Sequence, residues 1–388
     1  MKKISLFFCL VLCVMTSIAG TDLVLPAIPQ LIRVFHTTPE DTQRVLSAYV
    51  GGNACGLLLF GRLSDYFSRK KLLCSSLLIF SLASLGCAYA PCVPVLVAIR
   101  FFQGIASAAA PVFVPGFIRE LFDERKAARA IGLLGSLQAL VPAAAPLIGV
   151  LLLSYFDWSS SFKLLAILTV AAAGSVMIQK LPEKTGHNRS SGSFTCLLQN
   201  PVYLRYALTH ALTVGGMVTF VFGAPTVIML TMHGTLTDFI IMQLTNIGGY
   251  ILAANLSPGL AERYGAEKII MTGTCLALLS AFALTGYGYL DGSGTGILAA
   301  LFAPMGIAVG LRGPTGFFRG IVISGDNSAR GAALIAFFTF AMMTLGSLLT
   351  APFLTYGLVS LAAIVMGMHF FAALLLIVIS PPSQSHRF

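Results

Sequence analysis

Long apolar runs alternate with short polar breaks along the whole chain. Twelve runs can be placed, centred on residues 4–32, 42–61, 72–90, 93–117, 128–153, 160–180, 203–230, 238–258, 267–288, 294–318, 329–352 and 356–380. A bilayer-crossing helix needs about 20 mostly apolar residues, and the runs approach or exceed that length. Lipid offers the backbone no water, so such a run must satisfy its own hydrogen bonds as a helix. The pattern predicts an all-α membrane protein of twelve transmembrane helices, numbered here span 1 to span 12.

The breaks carry the charge, and they carry it in phase. Lys2 and Lys3 precede span 1; Arg62, Arg69, Lys70 and Lys71 follow span 2; Arg119, Arg125, Lys126 and Arg129 follow span 4. Lys180, Lys184 and Arg189 follow span 6, Arg263 and Lys268 span 8, Arg319 and Arg330 span 10, and Arg387 span 12. The opposite loops hold only Arg33, Arg44 and Lys163. Lys and Arg collect in cytoplasmic loops, so both termini are expected in the cytoplasm. Residues 181–200 form the one long polar stretch. It reads as a cytoplasmic linker between an N-terminal six-helix bundle, 1–180, and a C-terminal six-helix bundle, 201–388.

Composition agrees with the pattern. The 388 residues are 57% hydrophobic and only 10% charged, against roughly a quarter charged in a soluble domain. The net charge of +10 follows from the loop bias, so it argues for topology and against a nucleic-acid partner. The start, Met1-Lys2-Lys3 with Ala19-Gly20 downstream, has the look of an export leader. The apolar pattern nevertheless runs on to Ile32, past the length of a leader core, and cleavage would put the basic loops out of phase. Span 1 is therefore expected to be retained. The eight cysteines form no C-x-x-C pair and no metal-ligand spacing, and they read as packing residues. No phosphate-binding loop or nucleophile elbow occurs, so neither an enzyme nor a cofactor is expected.

One loop stands out. Gly61-Arg62-Leu63-Ser64-Asp65-Tyr66-Phe67-Ser68-Arg69-Lys70-Lys71-Leu72-Leu73 aligns without gaps on residues 258–270, with Leu63 on Leu260, Asp65 on Glu262 and Lys71 on Lys268. Each copy follows the second span of its half, as internal duplication in a six-plus-six transporter would place it. Three further segments are distinctive: Asp22-Leu23-Val24-Leu25-Pro26-Ala27-Ile28-Pro29 in span 1, Arg100-Phe101-Phe102-Gln103-Gly104 in span 4, and residues 141–149 in span 5, with Pro142, Pro146 and Gly149. With these four segments the chain resembles the major facilitator superfamily over essentially its whole length. Within it, the chain is similar to the drug:proton antiporters of the bicyclomycin- and chloramphenicol-resistance type. Ser68 and Ala145 stand where the signatures usually have Gly, and Tyr66 where a base is common. Val14 replaces the second acid of some multidrug members, which weakens the case for broad recognition of cationic drugs.

Within the spans, isolated charges carry the candidate chemistry. Asp22 falls roughly 16 Å from the outer end of span 1. A charged carboxylate at that depth is costly unless it is paired or faces water, and such acids mark proton pathways. It is either a proton-coupling group or a helix-packing acid paired with a base. Arg100 falls in the same outer half of the membrane and is its expected partner. Gln103 is expected either to hydrogen-bond across a cavity or to pack helices. Gln138, Asn53, His210 and Asn246 are further cavity candidates. Arg312 is expected either to snorkel to the interface or to line the cavity. Pro142, Pro146 and Gly149 are expected to seal span 5 or simply to pack it. Asp65, Arg69 and Lys70, with Gly61, are either exposed charges worth about 0–1 kcal/mol as a pair or, as the resemblance implies, a cytoplasmic latch between the halves, a network that Asp326 and Arg330 could join.

The resulting expectation is a monomeric proton-coupled exporter of small amphipathic molecules in a bacterial inner membrane, working by alternating access. Its partners would be the small-molecule substrate, protons and the lipid bilayer. A nutrient importer, an exporter of an endogenous metabolite such as a siderophore, and a non-transporting receptor or scaffold remain as alternatives.

Overall fold

The computed structural model describes residues 2–179, 181, 194–325 and 328–381. Asp326 and residues 182–193 of the expected linker lie outside the described residues. The chain divides into two compact units, Met1–Arg189 and Ser190–Phe388.

Among the described residues all regular structure is helical. The first unit holds α1 (Lys2–Asp22), α2 (Ile28–Val34), α3 (Pro39–Leu63), α4 (Arg69–Ala88), α5 (Val93–Ser107), α6 (Ala109–Leu121), α7 (Glu124–Tyr155) and α8 (Ser160–Ile178). The second holds α9 (Phe194–Leu198), α10 (Pro201–Leu230), α11 (Leu236–Tyr264), α12 (Ala266–Tyr289), α13 (Thr295–Ile323), α14 (Ser328–Thr350) and α15 (Leu358–Val378). Among the described residues eleven segments are long and apolar enough to cross a membrane. The twelfth span is α3, 25 residues long, whose charged residues Glu40, Asp41, Arg44 and Arg62 gather at its two ends.

Two spans are broken, and prolines explain both. Span 1 leaves α-helical geometry at Asp22, passes through a 3-10 turn at Leu25–Ala27 and resumes as α2. Pro26 and Pro29 each stand within the first two positions of the segment they begin, where a missing N–H costs least. Span 4 breaks between α5 and α6 at Ala108. Pro111 has no N–H for the carbonyl four residues back, that of Ser107. Such freed carbonyls inside a membrane need another donor. Ser17 of α1 supplies one to Ser107, its hydroxyl lying 2.8 Å from that oxygen. Ser161 of α8 does the same for the carbonyl of Leu23, at 3.2 Å.

Glycine sets the closest helix crossings in each unit. A Cβ on Gly104 would come within 2.8 Å of the Tyr49 carbonyl carbon, and one on Gly52 within 3.0 Å of that of Phe101. Helix α3 therefore presses backbone to backbone on α5. In the second unit Gly306 meets the Asn246 carbonyl carbon at 2.9 Å in the same sense, joining α13 to α11. Small residues allow this contact where the lipid gives no hydrophobic drive for helices to associate.

Polar ties close the charged ends. Arg69 at the start of α4 pairs with Glu120 at the end of α6, at 2.8 Å. Lys70 donates to the carbonyls of Met177 (3.2 Å) and Gln179 (2.8 Å) at the end of α8. In the second unit Glu267, which aligns with Lys70, pairs with Arg205 at 2.8 Å and accepts from the Tyr206 hydroxyl. Arg205 in turn reaches the Leu376 carbonyl near the end of α15, at 3.4 Å.

Candidate functional site in the first unit

The break in span 1 places Asp22 as the last residue of α1. Its side chain is half-buried, and it takes no hydrogen bond or ion pair among the described residues. Gly149 of the span 5 motif seats α7 against the same break: a Cβ there would lie 2.6 Å from the Leu23 carbonyl oxygen and 3.1 Å from Pro26. Pro146 and Gly149 are buried and Pro142 is half-buried on the same helix.

Arg100 is fully buried in α5. It makes no ion pair with Asp22. Its Nε donates to the Val45 carbonyl at 3.2 Å, and Nη1 donates to the Gly20 carbonyl at 2.9 Å and to Oε1 of Gln103 at 2.7 Å. Nη2 finds no acceptor among the described residues. Its Cζ stands 4.1 Å from the Tyr49 ring centroid and 5.7 Å from that of Phe162. Carbonyl dipoles and aromatic faces thus do the work that a carboxylate was expected to do.

Gln103 passes the network on within the bundle, its amide donating to the Ser84 hydroxyl at 2.6 Å. Asn53 donates to the Ser107 hydroxyl at 2.6 Å, and its own Oδ1 is left without a donor. The Tyr49 hydroxyl donates to the Ser17 carbonyl at 2.5 Å. One buried network therefore links spans 1, 2, 3 and 4, and it gathers Asn53, Arg100 and Gln103 beside the break. Gln138 is half-buried on α7 and makes no hydrogen bond to this group among the described residues.

Tyr49, Ser17, Ser84 and Ser107 were not singled out from sequence. Two signals point to them in retrospect. Tyr49 and Asn53 are four apart and share a helix face. Pro111 marks Ser107 as a carbonyl in need of a donor.

The other candidates lie elsewhere. Arg312 does not snorkel: it is fully buried in α13 and donates from Nη1 to the Thr209 carbonyl (2.9 Å) and the Thr213 hydroxyl, and from Nη2 to the Thr209 hydroxyl (3.0 Å). Gly273 leaves the room for it, since a Cβ there would meet the Arg312 Cβ at 2.8 Å. His210 lies half-buried with its ring 5.5 Å from that of Phe317. Asn246 is buried and donates to the Phe302 carbonyl at 3.3 Å. His369 of α15, unremarked in the sequence, is fully buried against Gly216, with no partner for either ring nitrogen among the described residues.

Of the loop residues, Arg69 and Lys70 are engaged inside their own unit. Asp65 and Gly61 are exposed, and the Asp65 carboxylate takes no hydrogen bond or ion pair among the described residues. Arg330 stands 5.6 Å from the Phe194 ring. No group of three or more His, Cys, Asp or Glu is placed to hold a metal among the described residues.

Comparison with known proteins gives a consistent result. A family model described as Major Facilitator Superfamily matches residues 10–318. The chain is 27% identical over 369 residues to a chloramphenicol resistance protein of Pseudomonas aeruginosa, covering 90% of this chain and 86% of that one. It is 25% identical over 280 residues to a bicyclomycin resistance protein homolog of Haemophilus influenzae, covering 70% of each. The crystal structure of a D-xylose–proton symporter superposes with a TM-score of 0.74 over 99% of both chains at 14% identity, a likeness of fold.

Proposed function

The chain belongs to the major facilitator superfamily, and from that premise we propose that it is a proton-coupled exporter of small amphipathic molecules. It is a multi-pass membrane transporter, not an enzyme. The observation that carries the finer reading is Asp22: an unpaired carboxylate at a helix break, in mid-span, beside a buried arginine network. A carboxylate in that setting gains a proton when it faces one side and yields it when cargo competes from the other. Gly149 supports the same reading, because it seats the antiporter-like helix directly on the break. The names of the two resistance relatives support drug-like cargo.

In this proposal the protein is a monomer of the bacterial inner membrane with both termini in the cytoplasm, as the loop charges favour. Alternating access would expose the Asp22 region to each side in turn. Asp65, free of the ties that occupy Arg69 and Lys70, would be the loop group available for a latch. The test is flux in vesicles with an imposed pH gradient, using chloramphenicol as the labelled probe alongside a panel of amphipathic antibiotics. Outward, gradient-driven flux that Asp22→Asn abolishes is expected. Intact gradient-driven flux in Asp22→Asn would overturn proton coupling at this residue, and inward flux would overturn export.

A further inference from the structure

We propose that Arg312 is the seat for a carboxylate group in the second unit, so that acidic amphipathic molecules are among the cargo. The seat stands on geometry; its link to cargo rests on the transport reading above.

The guanidinium has donors to spare. Nη1 donates to the Thr209 carbonyl and the Thr213 hydroxyl, and Nη2 donates to the Thr209 hydroxyl at 3.0 Å. Nε finds no acceptor among the described residues. Nη2 carries two hydrogens, so one of them is also unspent. An edge with a free donor on each nitrogen is one that a carboxylate can take with two parallel bonds.

There is room beside those donors. Gly316 stands one turn further along α13 and puts no side chain over the guanidinium. A Cβ there would meet Nη2 at 3.3 Å and Cζ at 3.7 Å, with Ile270 next at 4.0 Å. An oxygen at that place, a few tenths of an ångström closer, would stand at hydrogen-bond distance, about 2.9 Å. Gly313 adds no obstacle, since a Cβ there would touch only Val309, at 4.0 Å.

The described acids of the second unit are all engaged or placed elsewhere. Asp238 is held at the start of α11 by Thr235 and Thr295. Glu262 is exposed in the last turn of α11, and Asp291 is exposed in the turn after α12. Glu267 is committed to Arg205 and Tyr206. The groups within electrostatic reach of Arg312 are Arg205, His210 and His369, none of them acidic. A buried charge in a membrane helix is costly unless it is paired. The Thr209 and Thr213 dipoles offset part of that cost, and a carboxylate from outside the chain would supply the opposite charge. Arg312 is fully buried, so the seat opens only as the helices around it part. Alternating access provides that opening, and closure then keeps water from the pair and strengthens it.

The test is equilibrium binding to purified full-length protein, with no gradient and no flux. Sodium benzoate is the probe, with neutral benzamide and sodium chloride as controls, each followed by titration calorimetry and by the melting temperature. Benzoate is expected to bind and to raise the melting temperature where benzamide and chloride do not. Arg312→Met, and Gly316→Ala, which crowds the free donors, should each weaken benzoate binding about tenfold or more, the loss expected of one charge-assisted bond. Arg312→Lys, which keeps the charge without the fork, should fall between these and the parent. If Arg312→Met does not fold, Gly316→Ala and the comparison of benzoate with benzamide on the parent decide. Benzoate that fails to bind, binds no better than benzamide or chloride, or binds unchanged in folded Arg312→Met or Gly316→Ala, overturns the seat and leaves the transport reading standing. Inward flux in the vesicle assay, with benzoate binding intact, overturns the export reading and leaves the seat.

Discussion

The hydroxyl of Ser17 donates to the carbonyl of Ser107 across two helices, at 2.8 Å, and that carbonyl is the one Pro111 leaves without its helical donor. The pair turns a broken span into an inter-helix contact. Ser17→Ala should lower thermal stability by about 1 kcal/mol, a typical scale for a buried bond in a membrane helix bundle. Pro111→Ala restores an N–H four residues after Ser107, so the double variant should recover part of the loss. Thermal denaturation of the four proteins in detergent measures this as a double-mutant cycle, and strict additivity would refute the coupling.

Gly104 and Gly132 give opposite expectations for the same substitution. A Cβ on Gly104 meets Tyr49 backbone, whereas one on Gly132 meets nothing within 4 Å. Gly104→Ala should cost about 1–3 kcal/mol by overpacking. Gly132→Ala should be neutral or slightly stabilising, because it replaces a mid-helix glycine. The folded yield and melting temperature of the two variants distinguish them.

Arg312 can be removed without orphaning its partners. Thr209 and Thr213 also donate to carbonyls one turn back, those of Arg205 (2.6 Å) and Thr209 (2.8 Å). Replacing a buried charge with an apolar side chain is often neutral or stabilising. Arg312→Met should therefore keep or raise the melting temperature. Vesicle flux should fall at the same time if the charge serves transport, and a parallel loss of stability would mark it as a structural group instead.

The Arg69–Glu120 pair should show a measurable coupling. Its side chains are partly shielded, at 24% and 17% exposure, so about 1 kcal/mol is expected, at the upper end for surface pairs. A charge swap, Arg69→Glu with Glu120→Arg, should recover part of what either single change loses in melting temperature.

Asp41 predicts a pH effect outside the apolar stretch of span 2. The Thr37 hydroxyl, 2.8 Å away, holds its carboxyl below the usual range, aided by Thr38 at 3.0 Å and by the charge of Arg44. A carboxyl lowered by folding stabilises above its unfolded value, about 3.9, and loses that contribution as pH falls through its folded value. Asp41→Asn should therefore melt below the parent at neutral pH, and the gap should close in strong acid.

The spans were legible because lipid forces length and apolarity on each helix. Asp22 and Arg100 were legible as solitary charges inside apolar runs. Their separation was not, because it depends on where carbonyls and rings fall after Gly20 and Gly104 let helices touch. Arg312 shows the same limit. Its height in span 10 allows snorkelling, but the hydroxyls of Thr209 and Thr213 on another helix capture it. His369 lay hidden because an isolated histidine in an apolar run carries no local signal of what it faces.

The ties at the charged ends bear on how each half tolerates sequence drift. Lys70 grips main-chain carbonyls, which every residue type offers, so the tail of α8 is free to change its side chains. Glu267 grips the side chains of Arg205 and Tyr206, so the start of α10 is bound to particular residues. After a duplication the two copies would therefore age differently: the lysine tie survives substitution of its partners, while the glutamate tie must change together with them or be lost.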